Sequence, residues 1–381
     1  MDLPTPLRRV FAAMPDATLG AFAPGRVNLI GEHTDYSGLP VLPFALPFGV
    51  AIAARPRHDD LVCLRHLEPD RFAAAVIPRA ELANRPRTGT WVDYVVAGLR
   101  CQPPANGVDL LLGADLPIAA GLSSSAALVC AAALLFAPRD VDRLHLAEQC
   151  AAAERYVGTE AGGMDQAAAL LGQPGHALFL HFRPLRATAV PLPHSAAVVV
   201  ADSGVRAEKG GVLQAAYNER VHQCRRAASL LGAPAGGLLG DVPTSQWAAS
   251  AALADPLLRR RAGFVFAEAA RTSAAVAALR QGDLPELGRL LTSSHRGLTD
   301  DYEVGHPAVD ALVRAAHAAG AFGARIVGAG FGGSAIALGT RETAAAIAAA
   351  MRAAGAGSTF VAEPSAGACR VAGPDAAPNA G

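Results

Sequence analysis

Short β-branched runs alternate with alanine-rich helical runs along this whole chain, yet never in a sustained strand–helix–strand rhythm. That pattern argues for α+β layers rather than a doubly wound parallel sheet. Strands are expected at Val27–Ile30, Gly49–Ala54, Asp109–Leu112, His176–Phe182, Ala196–Ala201, Ala324–Val327 and Ser334–Leu338. Helices are expected at Leu7–Met14, Ser123–Phe136, Val141–Val157, Met164–Leu171, Val212–Leu231, Phe264–Gln281 and Arg341–Ala354. Gly158 and Gly172 stop the third and fourth of these. The chain has 381 residues, 51% of them apolar, enough for two domains of the usual size, each with its own core. The Pro191-Leu192-Pro193 punctuation places the boundary, giving an N-terminal domain of residues 1–192 and a C-terminal domain of residues 193–381. The Pro/Ala/Gly-rich tail from Ala372 reads as frayed.

Composition excludes several function classes. Lys plus Arg equals Asp plus Glu, 33 of each, so the chain lacks the basic footprint of a general nucleic-acid binder. It has a single lysine, Lys209, followed by Gly210. A Walker A loop needs Gly-Lys-Ser/Thr and is therefore ruled out. The longest wholly apolar run, Ala126–Ala137, is shorter than the ~20 residues that span a bilayer. Met1–Pro4 shows no basic region leading into an apolar one, so no secretory signal is expected. Six cysteines (Cys63, Cys101, Cys130, Cys150, Cys224, Cys369) form no CxxC pair. They read as reduced thiols of a cytoplasmic protein.

Four clusters carry chemistry. In Gly25-Arg-Val-Asn-Leu-Ile-Gly-Glu-His-Thr-Asp-Tyr36 a strand ends in glycine, and ionisable groups then crowd from Glu32 to Asp35. A solvated turn explains one or two polar residues there, but not this run between apolar flanks. Carboxylates and an imidazole on a loop suit a polyhydroxylated ligand. In Pro117-Ile-Ala-Ala-Gly-Leu-Ser-Ser-Ser-Ala-Ala127 a glycine and three serines open an apolar helix. One serine would serve as an ordinary N-cap; three hydroxyls with outward N–H groups make an anion cradle. The third cluster is Glu154 followed by Gly162-Gly163-Met164-Asp165-Gln166. Asp165 in a first helical turn compensates the dipole, but that leaves the two glycines unexplained, and they permit close approach of a ligand. Glu154 near a helix end is unfavourable to the dipole and fits a metal ligand. The fourth, Gly328-Ala-Gly-Phe-Gly-Gly333 between two strands, is not a dinucleotide fingerprint, since no helix follows.

Together the clusters resemble the GHMP family of small-molecule kinases, and within it the galactokinase branch, from about Ala23 to about Gly373. Gly25–Tyr36 is close to that branch's signature. Pro117–Ala126 resembles the family's phosphate motif, and Gly328–Gly333 its glycine-rich motif. Glu154 to Gln166 resembles the segment bearing the catalytic aspartate, Tyr217-Asn218-Glu219-Arg220 the sugar-contacting tyrosine segment, and Asp300–Val304 a further stretch. The resemblance implies a two-domain fold, ribosomal-S5-like then ferredoxin-like, with the active site in the cleft between. It implies a catalytic pair, Asp165 and Arg26. It implies a sugar site of Glu32, His33, Asp35, Gly162 and Tyr217, and a nucleotide site of Gly121, Leu122, Ser123, Ser124 and Ser125. Ser125 and Glu154 would lie near Mg²⁺, with ATP as co-substrate. Trp91 resembles an adenine-side residue, although a half-buried core aromatic explains it nearly as well. Four positions depart from the family pattern: Arg155, Gly163, Gly204 and Val327.

The implied reaction moves the ATP γ-phosphoryl to the anomeric hydroxyl of galactose, a step that asks for alignment and charge neutralisation. Asp165 would accept the hydroxyl proton. Arg26 and the helix N-terminus both favour the charged carboxylate, so Asp165 orients the acceptor as much as it deprotonates it. Two alternatives stand beside this reading: a kinase for another sugar, such as N-acetylgalactosamine or arabinose, and a galactose sensor without turnover. Asp165, Arg26 and Ser123–Ser125, all present, argue against the sensor. The expected partners are galactose and ATP, with no nucleic acid and no membrane, and a monomer or weak homodimer.

Overall fold

The computed structural model describes residues 3–116, 121–205 and 212–374. Pro117–Ala120 of the serine motif and Lys209 lie outside the described residues. The first half of the chain supplies α1 (Thr5–Ala13), β1 (Leu19–Asn28), β2 (Pro43–Pro56), β3 (Leu61–His66), β4 (Ala75–Pro78), α2 (Trp91–Cys101) and β5 (Val108–Ala114). It continues with α3 (Ser124–Phe136), α4 (Arg143–Glu154), α5 (Met164–Leu171), β6 (His176–His181) and β7 (Arg186–Pro191). The second half supplies β8 (Ala196–Asp202), α6 (Val212–Leu230), α7 (Pro256–Gln281), α8 (Leu284–Arg296), α9 (Pro307–Ala318) and β9 (Gly323–Val327). It ends with β10 (Ser334–Thr340), α10 (Ala344–Ala353), β11 (Ser358–Ala362) and β12 (Cys369–Ala372).

One sheet has the order β12-β1-β2-β5-β3-β4 and a second the order β11-β8-β10-β9, with β6-β7 as a hairpin. Among these pairs only β3 and β5 run parallel. This is the α+β arrangement that the irregular interleaving predicts. One core gathers β1, β2 and β5 with α2 and α3. A second gathers β8, β9 and β10 with α6, α7, α9 and α10.

Local sequence explains how these elements reach the cleft between the two cores. Helix α3 is buried along most of its length, as a helix apolar on every side must be. Gly98 on α2 lets it approach: a Cβ there would stand 2.4 Å from the Val129 carbonyl. Strand β1 carries a register shift between Pro24 and Arg26, a bulge that re-aims the following side chain. A Cβ on Gly25 would stand 2.4 Å from the Leu122 carbonyl, and the Arg26 N–H donates to that carbonyl at 3.2 Å. The bulge therefore seats Arg26 against the serine loop. Asp255 and Asp283 accept from N–H groups in the first turns of α7 and α8, each with proline at the helix start. Helix α7 is long and apolar enough to cross a bilayer, but most of its apolar window is buried in the protein, so it is a core helix.

The last strand ends at Ala372, where the Pro/Ala/Gly-rich tail begins, and residues 375–381 of that tail lie outside the described residues. Strand β12 pairs antiparallel with β1 from Leu19↔Ala372 to Phe22↔Cys369. The Gly373 N–H donates to the Thr18 carbonyl at 2.9 Å and the Ala368 N–H to the Ala169 carbonyl at 2.7 Å. A chain ending at Pro364 should lose this strand and the buried Ala368. At about 1 kcal/mol per net hydrogen bond lost, the truncation should destabilise the protein by several kcal/mol. Chemical denaturation reads this as a clear fall in midpoint.

Candidate active site

The cleft opens where three turns meet: the end of β1, the start of α3 and the glycine loop between β9 and β10. Arg26, Glu32, His33, Asp35, Gly121, Ser123, Ser125, Glu154, Asp165 and Tyr217 all line a cavity of about 150 Å³. Gly162 lines an adjoining cavity together with Asp35. Most residues singled out in the sequence are thus gathered in one place. Trp91 is not among the lining residues. It begins α2, donates from Nε1 to the Ala73 carbonyl at 3.2 Å and packs near His66 and Phe72. Tyr94, one turn further along α2, does line the cleft.

Arg26 is only 5% exposed, and a buried guanidinium needs partners. Its Nε donates to Asp165 Oδ1 at 2.7 Å and its Nη1 to the Gly121 carbonyl at 2.7 Å. Burial opposes its charge, but the carboxylates of Asp165, Glu32 and Asp35 outweigh burial and raise its pKa. Ser123 sits at φ 62°, the left-handed region. It makes no side-chain cap to α3; its hydroxyl donates to Asp165 Oδ2 instead. That is a different use from the N-cap a single serine suggests. Asp165, in the first turn of α5, thus has one oxygen on Arg26 and the other on Ser123.

The two glycines before Asp165 have separate reasons. A Cβ on Gly162 would stand 2.2 Å from the Tyr36 nitrogen and 2.5 Å from Asp35 Cγ, so any side chain there would displace Asp35. Gly163 precedes α5 at φ 110°, a conformation that favours glycine. Asp35 itself is buried, which pushes its pKa up to about 6, helped by the Asp165 charge and opposed by the N–H groups of Tyr36 and Met164. Tyr217 on α6 is half-buried near both carboxylates, and desolvation followed by their charges raises its hydroxyl pKa well above the usual value. It faces the cleft as a donor.

Glu32 and His33 line the same cavity, yet their polar atoms also hold the protein together. Glu32 Oε1 accepts from Arg325 Nη2 at 2.8 Å and from the Gly328 N–H at 2.7 Å; Oε2 accepts from Asn28. His33 Nε2 lies 3.2 Å from the Ala329 carbonyl, which can only accept, so Nε2 carries the hydrogen. Nδ1 then accepts from the Tyr36 hydroxyl at 2.9 Å, and Tyr36 accepts in turn from Tyr302 at 2.7 Å. Burial, with the charges of Arg220, Arg325 and Arg261, pushes the His33 pKa down to about 3. The ring is neutral and fixed in one tautomer.

Glu154 ends α4 and is 5% exposed. One of its oxygens accepts from the Gln166 amide nitrogen. Gln166 is fully buried, and its Oε1 has no partner among the described residues. Gln166, Gln214, Thr159, Ala161, Gly328 and Ala329 also line the cavity, and sequence reasoning does not assign them to the site. Signals exist for Gln166, which follows Asp165, and for Gly328-Ala329, which belong to the glycine cluster. Of the four departures, Val327 is buried in β9 and Gly204 adopts φ 70°, while Arg155 lines the adjoining cavity rather than this one.

Residues 8–56 match the galactokinase galactose-binding signature, residues 92–173 the GHMP kinase N-terminal domain and residues 275–357 the GHMP kinase C-terminal domain. The chain is 42% identical to the galactokinase of Chloroflexus aurantiacus over 333 residues, covering 84% of this chain and 83% of that protein. It is 37% identical to human galactokinase over 344 residues, covering 87% and 86%. The crystal structure of Lactococcus lactis galactokinase complexed with galactose superposes with a TM-score of 0.86 at 30% identity, covering 95% of this chain and 98% of that one. Methanococcus jannaschii mevalonate kinase shares the fold alone, with a TM-score of 0.63 at 16% identity. With a signature, two domain models and near full-length relatives in accord, the chain belongs to the galactokinase branch of the GHMP kinase family.

Proposed function

We propose that this chain transfers the γ-phosphoryl of ATP to the anomeric C1 hydroxyl of galactose, with galactose and ATP as its small-molecule partners in the cytoplasm. The chain is an ATP-dependent sugar kinase by family, and its own residues account for how the work would be done. We take residues 1–192 and 193–381 as the two domains, with β12 returned to the first sheet.

One observation carries the reading: Asp165 is held between Arg26 and Ser123 in a cleft lined by both the sugar signature and the serine loop. Phosphoryl transfer needs an acceptor hydroxyl aligned on the γ-phosphorus and charge neutralised around it. Asp35, Tyr217 and Glu32 are the groups that would fix the sugar by its hydroxyls. Asp165 is the acceptor for the C1 hydroxyl proton. With both oxygens already accepting, it orients that hydroxyl first and takes the proton as charge leaves oxygen. Arg26, already paired with Asp165 across the cleft, offers positive charge beside the reacting group. Gly121, Leu122, Ser123, Ser124 and Ser125 present backbone N–H groups and hydroxyls at the start of α3 to the phosphates. Trp91 is kept as an adenine-side residue only in the sense that α2 borders the cleft through Tyr94.

The donor set also fits a hard cation. Ser125 and Glu154 offer oxygen ligands, and the unpartnered Gln166 Oε1 beside Glu154 is a third oxygen. Mg²⁺ held there would neutralise phosphate charge during transfer. The six cysteines are free thiols, in keeping with a reducing compartment. The test of the reading is ADP release over a panel of sugars, with galactose giving the highest kcat/KM; a preference for N-acetylgalactosamine or arabinose would reassign the substrate.

Three outcomes are expected from the site. Asp165→Asn keeps the volume and removes the proton acceptor, so kcat should fall by about 10²–10⁴-fold while galactose affinity changes less; stopped assays at saturating substrate check this. Ser125→Ala should raise the Mg²⁺ concentration for half-maximal rate about tenfold, the equivalent of about 1.4 kcal/mol. The third concerns pH. Asp35 titrates near 6, above its ordinary value, so below that pH it is protonated and one acceptor for sugar hydroxyls is lost. Galactose KM should therefore rise as pH falls through about 6, approaching tenfold per unit. Asp35→Asn should show a raised KM without that inflection.

A further inference from the structure

On its strand side, the loop after β1 is tied to the other half of the chain through the buried Glu32 carboxylate. Arg325 on β9 is fully buried. Its Nε donates to the Leu29 carbonyl and its Nη2 to the Asn28 carbonyl, both at 2.8 Å. The same Nη2 reaches Glu32 Oε1 at 2.8 Å. That single oxygen also receives the Gly328 N–H at 2.7 Å. The next residue along each segment repeats the tie, His33 to the Ala329 carbonyl. Gly328 in turn lies against the serine loop: a Cβ on it would stand 3.0 Å from the Gly121 carbonyl. Arg325, Glu32, Gly328 and Gly121 are therefore one contiguous set, running from the sugar-binding loop through the glycine loop to the loop assigned to the phosphates.

We propose that Arg325 is a positioning residue that acts through Glu32 and Gly328 to couple galactose binding to nucleotide binding. The proposal rests on the kinase reading above. Its physical basis is shared ordering. A sugar that engages Glu32 and Asp35 fixes the acceptor that holds Gly328, and a nucleotide that packs on Gly121 fixes Gly328 from the other side. Whichever ligand binds first orders the loop, and the second then loses less conformational freedom on binding. Linkage requires the effect to be equal in both directions. Without the arginine fork, Glu32 loses its tie to β9 and holds the glycine loop through the Gly328 N–H alone, so the ordering of one loop is passed less fully to the other.

The experiment is calorimetric titration of galactose with and without a nonhydrolysable ATP analogue plus Mg²⁺, and of the analogue with and without galactose. Wild type, Arg325→Met and Arg325→Lys are compared. Wild type should bind each ligand at least about fivefold more tightly in the presence of the other, by the same factor in both directions. In Arg325→Met that factor should fall to within about twofold of one. Arg325→Lys keeps the charge toward Glu32 but loses the fork, and should lie between the two. A merely structural arginine would lower thermal stability and leave the factor intact. Folded Arg325→Met with wild-type coupling, or a wild type with no coupling, overturns the proposal. If Arg325→Met does not fold, Arg325→Lys decides: a reduced factor supports the proposal and an unchanged one overturns it. ADP release by the wild type with galactose separates the two levels. If it is present and coupling is absent, only this inference fails. If it is absent, the kinase reading fails and this inference with it.

Discussion

The Arg26 guanidinium is the charge on which the site is built. It is nearly fully buried, so it persists only where acceptors surround it, and those acceptors come from distant parts of the chain. Asp165 lies 139 residues away and Gly121 lies 95 away. Satisfying one cation therefore brings the bulge of β1, the entrance of α3 and the first turn of α5 to a single point. Once they are there, Ser123 completes the coordination of Asp165. Gly162 then needs to remain bare, because Asp35 occupies the volume of its side chain. The geometry of the cleft and the packing of the fold are satisfied by the same bonds.

A second set of contacts closes the cleft from the C-terminal half. Glu268 on α7 accepts from the Gly31 N–H at 3.0 Å and from Ser294 at 2.6 Å, and Arg271 neutralises it at 2.7 Å. Gly31 sits at φ 101°, and the Glu268 contact helps fix that turn. With Arg325 on the strand side, Glu268 on the helix side and Tyr302 beneath Tyr36, the sugar loop is positioned by residues that do not themselves line the cleft. Preorganisation of this kind lets a site present aligned acceptors without ordering them at the moment of binding.

The sequence makes some of this legible and conceals the rest for physical reasons. Motif residues are readable because their types fit no bland role: three serines at one helix start, two adjacent glycines before Asp165, four polar residues after an apolar strand. Helix α5 and the starts of β6, β8 and β10 stand where periodicity places them. Strand β1 is legible only from Val27, since Gly20, Pro24 and Gly25 interrupt the pattern; in the fold a bulge absorbs them and the strand begins at Leu19. Strands β3 and β4 and the terminal β12 are edge or near-edge strands, with too little buried pattern to stand out. Helices α8 and α9 are absent from the sequence expectations, although their Asp-Leu-Pro and His-Pro starts are helix-entry signals. Arg325, a lone charge within the apolar Ala324–Val327 run, is a visible anomaly. Its partners at Asn28, Leu29 and Glu32 are almost 300 residues distant, and only the fold names them.

The bond formed in the product decides whether Asp165 and its neighbours direct phosphate to the anomeric carbon. Nuclear magnetic resonance of the purified product from galactose, ATP and Mg²⁺ reports the bond formed. The expected result is phosphorus coupled to the single anomeric proton, as in galactose 1-phosphate. Phosphorus coupled to the two C6 protons would contradict it, as would ADP release with the sugar left unphosphorylated.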